Sequence, residues 1–156
     1  MDKQFTISLQ NRKIICSLLN KIPEELLWEI PNGFRNNLWW NMAHILAIQQ
    51  ILIYRFSGLP TRIEEQWVDR YKKGTYPASE PDLNEIEQLP AQLINTVVWA
   101  QEDYNKGLFK GYQEYTTSNK VTISSIEDAI NFNNYHEGIH LGVILSQLKL
   151  FDIRSS

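Results

Sequence analysis

At 156 residues, with 43% hydrophobic and 21% charged side chains, the chain is long enough to bury a core as one domain over residues 1–156 and too apolar to remain disordered. A net charge of −3 argues against a nucleic-acid partner, which needs a basic face to displace counterions from phosphate. No block of like charge marks a polybasic membrane patch, no segment nears the roughly 20 apolar residues of a membrane span, and MDKQFTISLQ holds no signal-length apolar run, so no membrane association and a cytoplasmic location are expected.

In chain order, Ile7, Ile14, Ile15, Leu18 and Leu19 recur at mostly helical spacing and predict a first amphipathic helix over 5–21. Cys16, the only cysteine, falls among apolar residues and reads as a small buried hydrophobe, with no intramolecular disulfide open to it. Pro23 and Pro31-Asn32-Gly33 bracket a connection with room for a helical turn across PEELLWEI. A second helix is predicted from about Asn36 to Ser57, with Leu38, Met42, Ile45, Ile48, Leu52 and Phe56 as its stripe and Gly58 and Pro60 as its stop.

Residues 58–81, which include Lys72-Lys73-Gly74, read as a long crossover, a kind of loop that in compact domains usually carries function or connects distant elements. A third helix then runs to about Phe109 on Leu93, Val97, Ala100, Tyr104 and Leu108. Its start is open between Asp82, with Pro90 inside, and Pro90 as first residue. After KGYQEYTTSNKV, Ser124-Ser125-Ile126-Glu127 reads as a capping box, with Ser124 as cap and Glu127 reaching back, opening a last helix to about Leu150. No strand alternation stands out. The expected fold is all-α, a four-helix bundle with a long crossover between helices two and three.

The last helix contains HEGIH, His136 to His140, in a chain with three histidines in total. Residues four apart on a helix point the same way, so the two imidazoles can share one ion; random placement gives such a pair in roughly one sequence in twenty-five, so spacing alone is modest support. Their setting adds to it. The same face carries Ala129, Phe132, Asn133, Val143 and Gln147, and no lysine or arginine occurs from Asn131 to Gln147. His44 lies in WWNMAHILAIQQ on a face with Asn37, Trp40, Asn41, Ala47, Ile48 and Ile51. A lone histidine there is ordinarily a hydrogen-bonded core residue. Three histidines on bundle-facing positions are instead the ingredients of a metal site built between helices, with positions left open for water or substrate.

H-E-x-x-H is also the mark of zinc metalloproteases, which take a third ligand downstream and use the glutamate to activate water. Sixteen residues follow His140; they contain neither histidine nor glutamate, and Asp152 falls near the very end. A third histidine 92 residues upstream of His136 belongs to a different arrangement, and the protease reading is set aside.

The tryptophan-rich approach to His44, the closing YHEGIHLGVILSQLKL and the order of helices around a long crossover resemble the DinB-like superfamily, the damage-inducible and YfiT-type metalloenzymes, over nearly the whole chain. That resemblance implies a bundle holding a divalent metal, nickel or zinc, on three histidines, which here are His44, His136 and His140. It also implies small-molecule chemistry: characterised relatives include thiol transferases using bacillithiol or mycothiol and a mycothiol-dependent isomerase. The expected function is metal activation of a thiol or water, with low-molecular-weight-thiol S-transfer first, a metal-dependent hydrolase as alternative, and a non-catalytic stress-related metal-binding or interaction protein as the reading from another class. Glu137 is a candidate proton acceptor, though it lies about 100° around the helix from His136 and could face solvent. Trp40, Asn41, Asn133 and Gln147 are candidates for pocket wall or support of the ligands. Lys72 and Lys73 are placed to steer an anionic thiol, or simply to be solvated. The crossover is expected to cover the site or to pair subunits into a homodimer.

Overall fold

The computed structural model describes residues 1–151; Asp152 lies outside them. Six α-helices occur among these residues: α1 (Asp2–Leu19), α2 (Glu24–Trp28), α3 (Leu38–Ile53), α4 (Glu65–Tyr71), α5 (Leu83–Asn105) and α6 (Ile126–Leu150). The all-α expectation holds. Four of the helices are long and close into a ring, α1 against α5 and α6, and α3 against the same two. The other two are short and sit in the connections, so the expected four long helices are joined by two more. No helix among the described residues is long and apolar enough to cross a membrane.

Helix α3 is the centre of the molecule. Fourteen of its residues are buried, because it is covered by α2, α4, α5 and α6 at once. A helix surrounded on all sides carries no polar face, which is why LWWNMAHILAIQQILI is apolar nearly all round. Asn37 caps it, its side chain accepting from Trp40 N at 2.8 Å. The regular helix stops at Ile53, four residues before the expected end, and a 3₁₀ turn over Arg55–Ser57 follows. Gly58 closes that turn at φ 73°, a left-handed conformation open to glycine at little cost.

Helix α5 resolves the open start. Asp82 accepts from Glu85 N at 2.9 Å while Glu85 accepts from Asp82 N at 3.2 Å, a reciprocal cap; Pro90 therefore lies within the helix. The helix ends at Asn105 rather than Phe109, with Gly107 at φ 65° just beyond. Helix α6 starts one residue later than expected. Ser125 is the cap, accepting from Asp128 N at 3.1 Å, and Asp128 rather than Glu127 reaches back, accepting from Ser124 N at 3.1 Å.

Three expectations need correction. Helix α1 buries Phe5, Ser8, Arg12, Ile15 and Leu18, whereas Ile7 and Ile14 are exposed; the buried face contains an arginine and a serine. The crossover is not a bare loop, since α4 occupies its middle and packs Trp67, Val68 and Tyr71 into the core. The loop after α5 folds into a small ribbon, β1 (Tyr115–Thr116) paired antiparallel with β2 (Thr122–Ile123), turning through Lys120 at φ 63°. Cys16 is half-buried, packs beside the core and rests its thiol 3.7 Å from the Pro90 carbonyl, and burial raises its pKa. That environment is that of a packing residue.

Candidate metal centre

His44 comes from the middle of α3, and His136 and His140 from successive turns of α6, two helices packed against each other along their length. The ring centroids are 5.1 Å apart for His44–His136, 4.7 Å for His44–His140 and 4.6 Å for His136–His140. One nitrogen from each ring lies within 4.8 Å of the others. Three positions spread over 96 residues of chain are thus brought together by the α3–α6 contact.

Two of the rings are held by oxygen acceptors behind them. The His44 Nδ1–H donates to the Tyr71 carbonyl at 2.5 Å. His140 Nδ1 lies 2.8 Å from Asn41 Oδ1, and Asn41 is itself turned by Nδ2 donating to the Asn37 carbonyl at 2.8 Å, which leaves Oδ1 as the acceptor. With Nδ1 protonated in both neutral rings, Nε2 carries the lone pair, the outer-shell arrangement that fixes a ligand tautomer. Trp40 stacks on His44 with centroids 4.3 Å apart and planes 15° apart, and its Nε1 donates to Thr75 Oγ1 at 3.2 Å. The crossover therefore reaches the site twice, through Tyr71 and through Thr75.

The electrostatics favour neutral rings. Burial lowers the His44 pKa to about 4 against the opposing effect of the Tyr71 carbonyl. Burial, then the charges of His140, His44 and Arg12, lowers that of His136 to about 2. Burial and then His44 lower that of His140 to about 3. At neutral pH all three imidazoles keep a free lone pair, the form that binds a metal. His136 Nδ1 is buried with no hydrogen-bond partner, the kind of orphan that a coordinated ion or a bound water resolves. The donor set, its spacing and its protonation fit a divalent cation.

A cleft of about 410 Å³ adjoins the triad, and all three histidines line it. Its walls are Ile48, Ile51 and Leu52 from α3, Phe132, Tyr135 and Ile139 from α6, and Phe56. Lys72 and Lys73 also line it, as do Tyr115, Thr117, Ser118 and Asn119 from the ribbon. Sequence reading found the lysines but neither the ribbon turn nor Tyr71, whose part is played by a backbone carbonyl and leaves no trace in side-chain pattern.

The remaining candidates divide. Asn41 and Trp40 touch the triad directly. Glu137 faces away from solvent, contrary to the outward alternative: it is fully buried, and its Oε1 accepts from Ser8 Oγ at 3.0 Å, Arg12 Nη2 at 2.7 Å and Asn133 Nδ2 at 2.7 Å. It does not line the cleft. Asn133 serves that carboxylate. Gln147 is buried but donates to the Asn36 carbonyl at 2.6 Å, and seven residues of helix, about 10 Å, separate it from His140.

A bundle with histidines from facing helices converging at an apolar cleft has the layout in which helical proteins can hold a metal ion. The chain belongs to the DinB superfamily, whose family model matches residues 9–144. No curated protein matches it.

Proposed function

We propose that the chain is a metal-dependent enzyme in which His44, His136 and His140 hold one divalent ion, nickel or zinc, and that a small molecule reacts in the cleft above it by S-transfer from a low-molecular-weight thiol. The convergence of one ring nitrogen from each histidine within 4.8 Å, on neutral rings, carries this reading. A divalent ion on three imidazoles keeps coordination positions open and lowers the pKa of a thiol or water presented to it, whereas structural zinc usually has four protein ligands.

The chain's own groups have distinct parts. The Tyr71 carbonyl orients His44 and Asn41 orients His140. Glu137, saturated on one oxygen by Ser8, Arg12 and Asn133, is a positioning residue that ties α6 to α1 rather than a proton acceptor for substrate. The walls from Ile48 to Ile139 exclude water from the reacting groups and hold the apolar part of a substrate.

The test is a panel of low-molecular-weight thiols and electrophiles incubated with metal-loaded protein and with the His140→Ala variant. Thiol loss that depends on His140 supports the transferase. Turnover of an ester or amide without thiol loss would identify a hydrolase instead. Tight metal binding with no turnover in any arm would identify a non-catalytic stress-related metal-binding protein.

A further inference from the structure

We propose that the cleft selects small molecules that join an apolar body to an anionic group, with the anion held at the rim by Lys73 and Lys72. This names the substrate class for the cleft of the preceding reading and rests on that cleft being the substrate site.

The charge of the lining is one-sided. The chain carries 18 acidic and 15 basic side chains, yet the cleft has two lysines and no carboxylate among its lining residues. Apart from the histidines and the polar Tyr115, Thr117 and Tyr135, the lining is largely apolar, with Ile48, Ile51, Phe56, Phe132 and Ile139 offering no partner to a charged body. A ligand that lies against these walls and reaches the lysines therefore has an apolar body and a charged end, with the histidines left for its reacting group.

The lysines are placed by the same backbone that orients His44. His44 donates to the carbonyl of Tyr71, the last residue of α4, and Lys72 and Lys73 follow directly. Trp67 and Tyr71 are buried in the core, so this end of α4 is anchored. Lys72 also reaches exposed Asp69 at 2.8 Å, a surface pair with little hold on it. Lys73 is exposed and makes no hydrogen bond or ion pair among the described residues. It is the cation available to a ligand. Ser118 and Asn119 also line the cleft, but they already bond each other, at 3.5 Å, and Asn119 Nδ2 donates to Tyr135 Oη at 3.2 Å.

Three probes with one apolar body and different heads test this: phenylbutyrate, phenylbutanol and phenylbutylamine. Each is titrated calorimetrically at low ionic strength into the full chain as purified and after chelation, which removes carboxylate–metal binding as a source of preference. The expected order is acid, alcohol, amine, with the acid about five-fold or more tighter than the amine. Lys72→Ala/Lys73→Ala should abolish the preference and leave the alcohol unchanged, Lys73→Glu should reverse it, and Phe132→Ala should weaken all three probes. Equal binding of the three, binding of none, an acid preference that survives the double lysine substitution, or one that vanishes on chelation would each overturn the proposal. Metal content of the same samples separates the two readings: lysine-dependent acid preference in protein that never holds metal would contradict the metal centre alone.

Discussion

Arg12 and Glu137 pair at 2.7 Å with both side chains wholly excluded from solvent. The pair joins the first helix to the last, and Arg12 Nη2 also lies 3.4 Å from the Ile45 carbonyl on α3. Ile45 follows His44 and Glu137 follows His136. One guanidinium on a helix that supplies no histidine thus touches the neighbours of two triad members on different helices.

Removing one member of such a pair strands the other charge in the core, at a cost of about 3–5 kcal/mol, while replacing both with apolar residues of similar volume is often neutral or stabilising. Arg12→Ala should therefore lose about that much stability in chemical denaturation, and Arg12→Met/Glu137→Met should recover most of it. A single variant as stable as the parent would contradict the buried pairing.

The triad gives metal-free protein a defined acid sensitivity. Each histidine has a folded pKa below its ordinary value of 6.5, at about 4, 2 and 3 for His44, His136 and His140. The unfolded chain therefore binds protons first as pH falls, and stability drops from about pH 6.5 toward 4, with a slope approaching about 1.4 kcal/mol per pH unit for each histidine. Unfolding midpoints measured across that range should fall for the parent and fall less steeply for a His136→Gln variant. Parallel profiles would show that the His136 ring is not buried and neutral.

Asn41 holds His140 from behind through Oδ1. Outer-shell partners of metal-binding histidines typically contribute about 10- to 100-fold in affinity. Competition with a chelator should show that Asn41→Ala weakens divalent-metal binding within that range, and unchanged affinity would remove Asn41 from the site.

Much of this was legible in the sequence because it rests on local rules. The four long helices were legible from helical spacing, apolar runs and caps, even though α1 buries a different face from the expected one, and the histidines could be grouped because helical spacing aligns His136 with His140 and the apolar setting turns His44 inward. What escaped depends on distant or backbone partners. Arg12 and Ser8 can lie on the buried face of α1 because Glu137, 125 residues beyond Arg12, neutralises the arginine and accepts from the serine; the warning in the sequence was that both share a helical face with Phe5 and Ile15. The Tyr71 carbonyl has no side-chain signature. The ribbon, two residues per strand, is too short to show alternation, and α4 is only seven residues long.

The most direct measurement is elemental analysis of protein purified without a histidine tag, with His44→Ala and His136→Ala prepared alongside. A three-histidine centre predicts close to one divalent ion per chain in the parent and loss of that ion in each variant, although the two positions lie on different helices. Parent protein that cannot be loaded with metal, or full metal content retained in both variants, would contradict it.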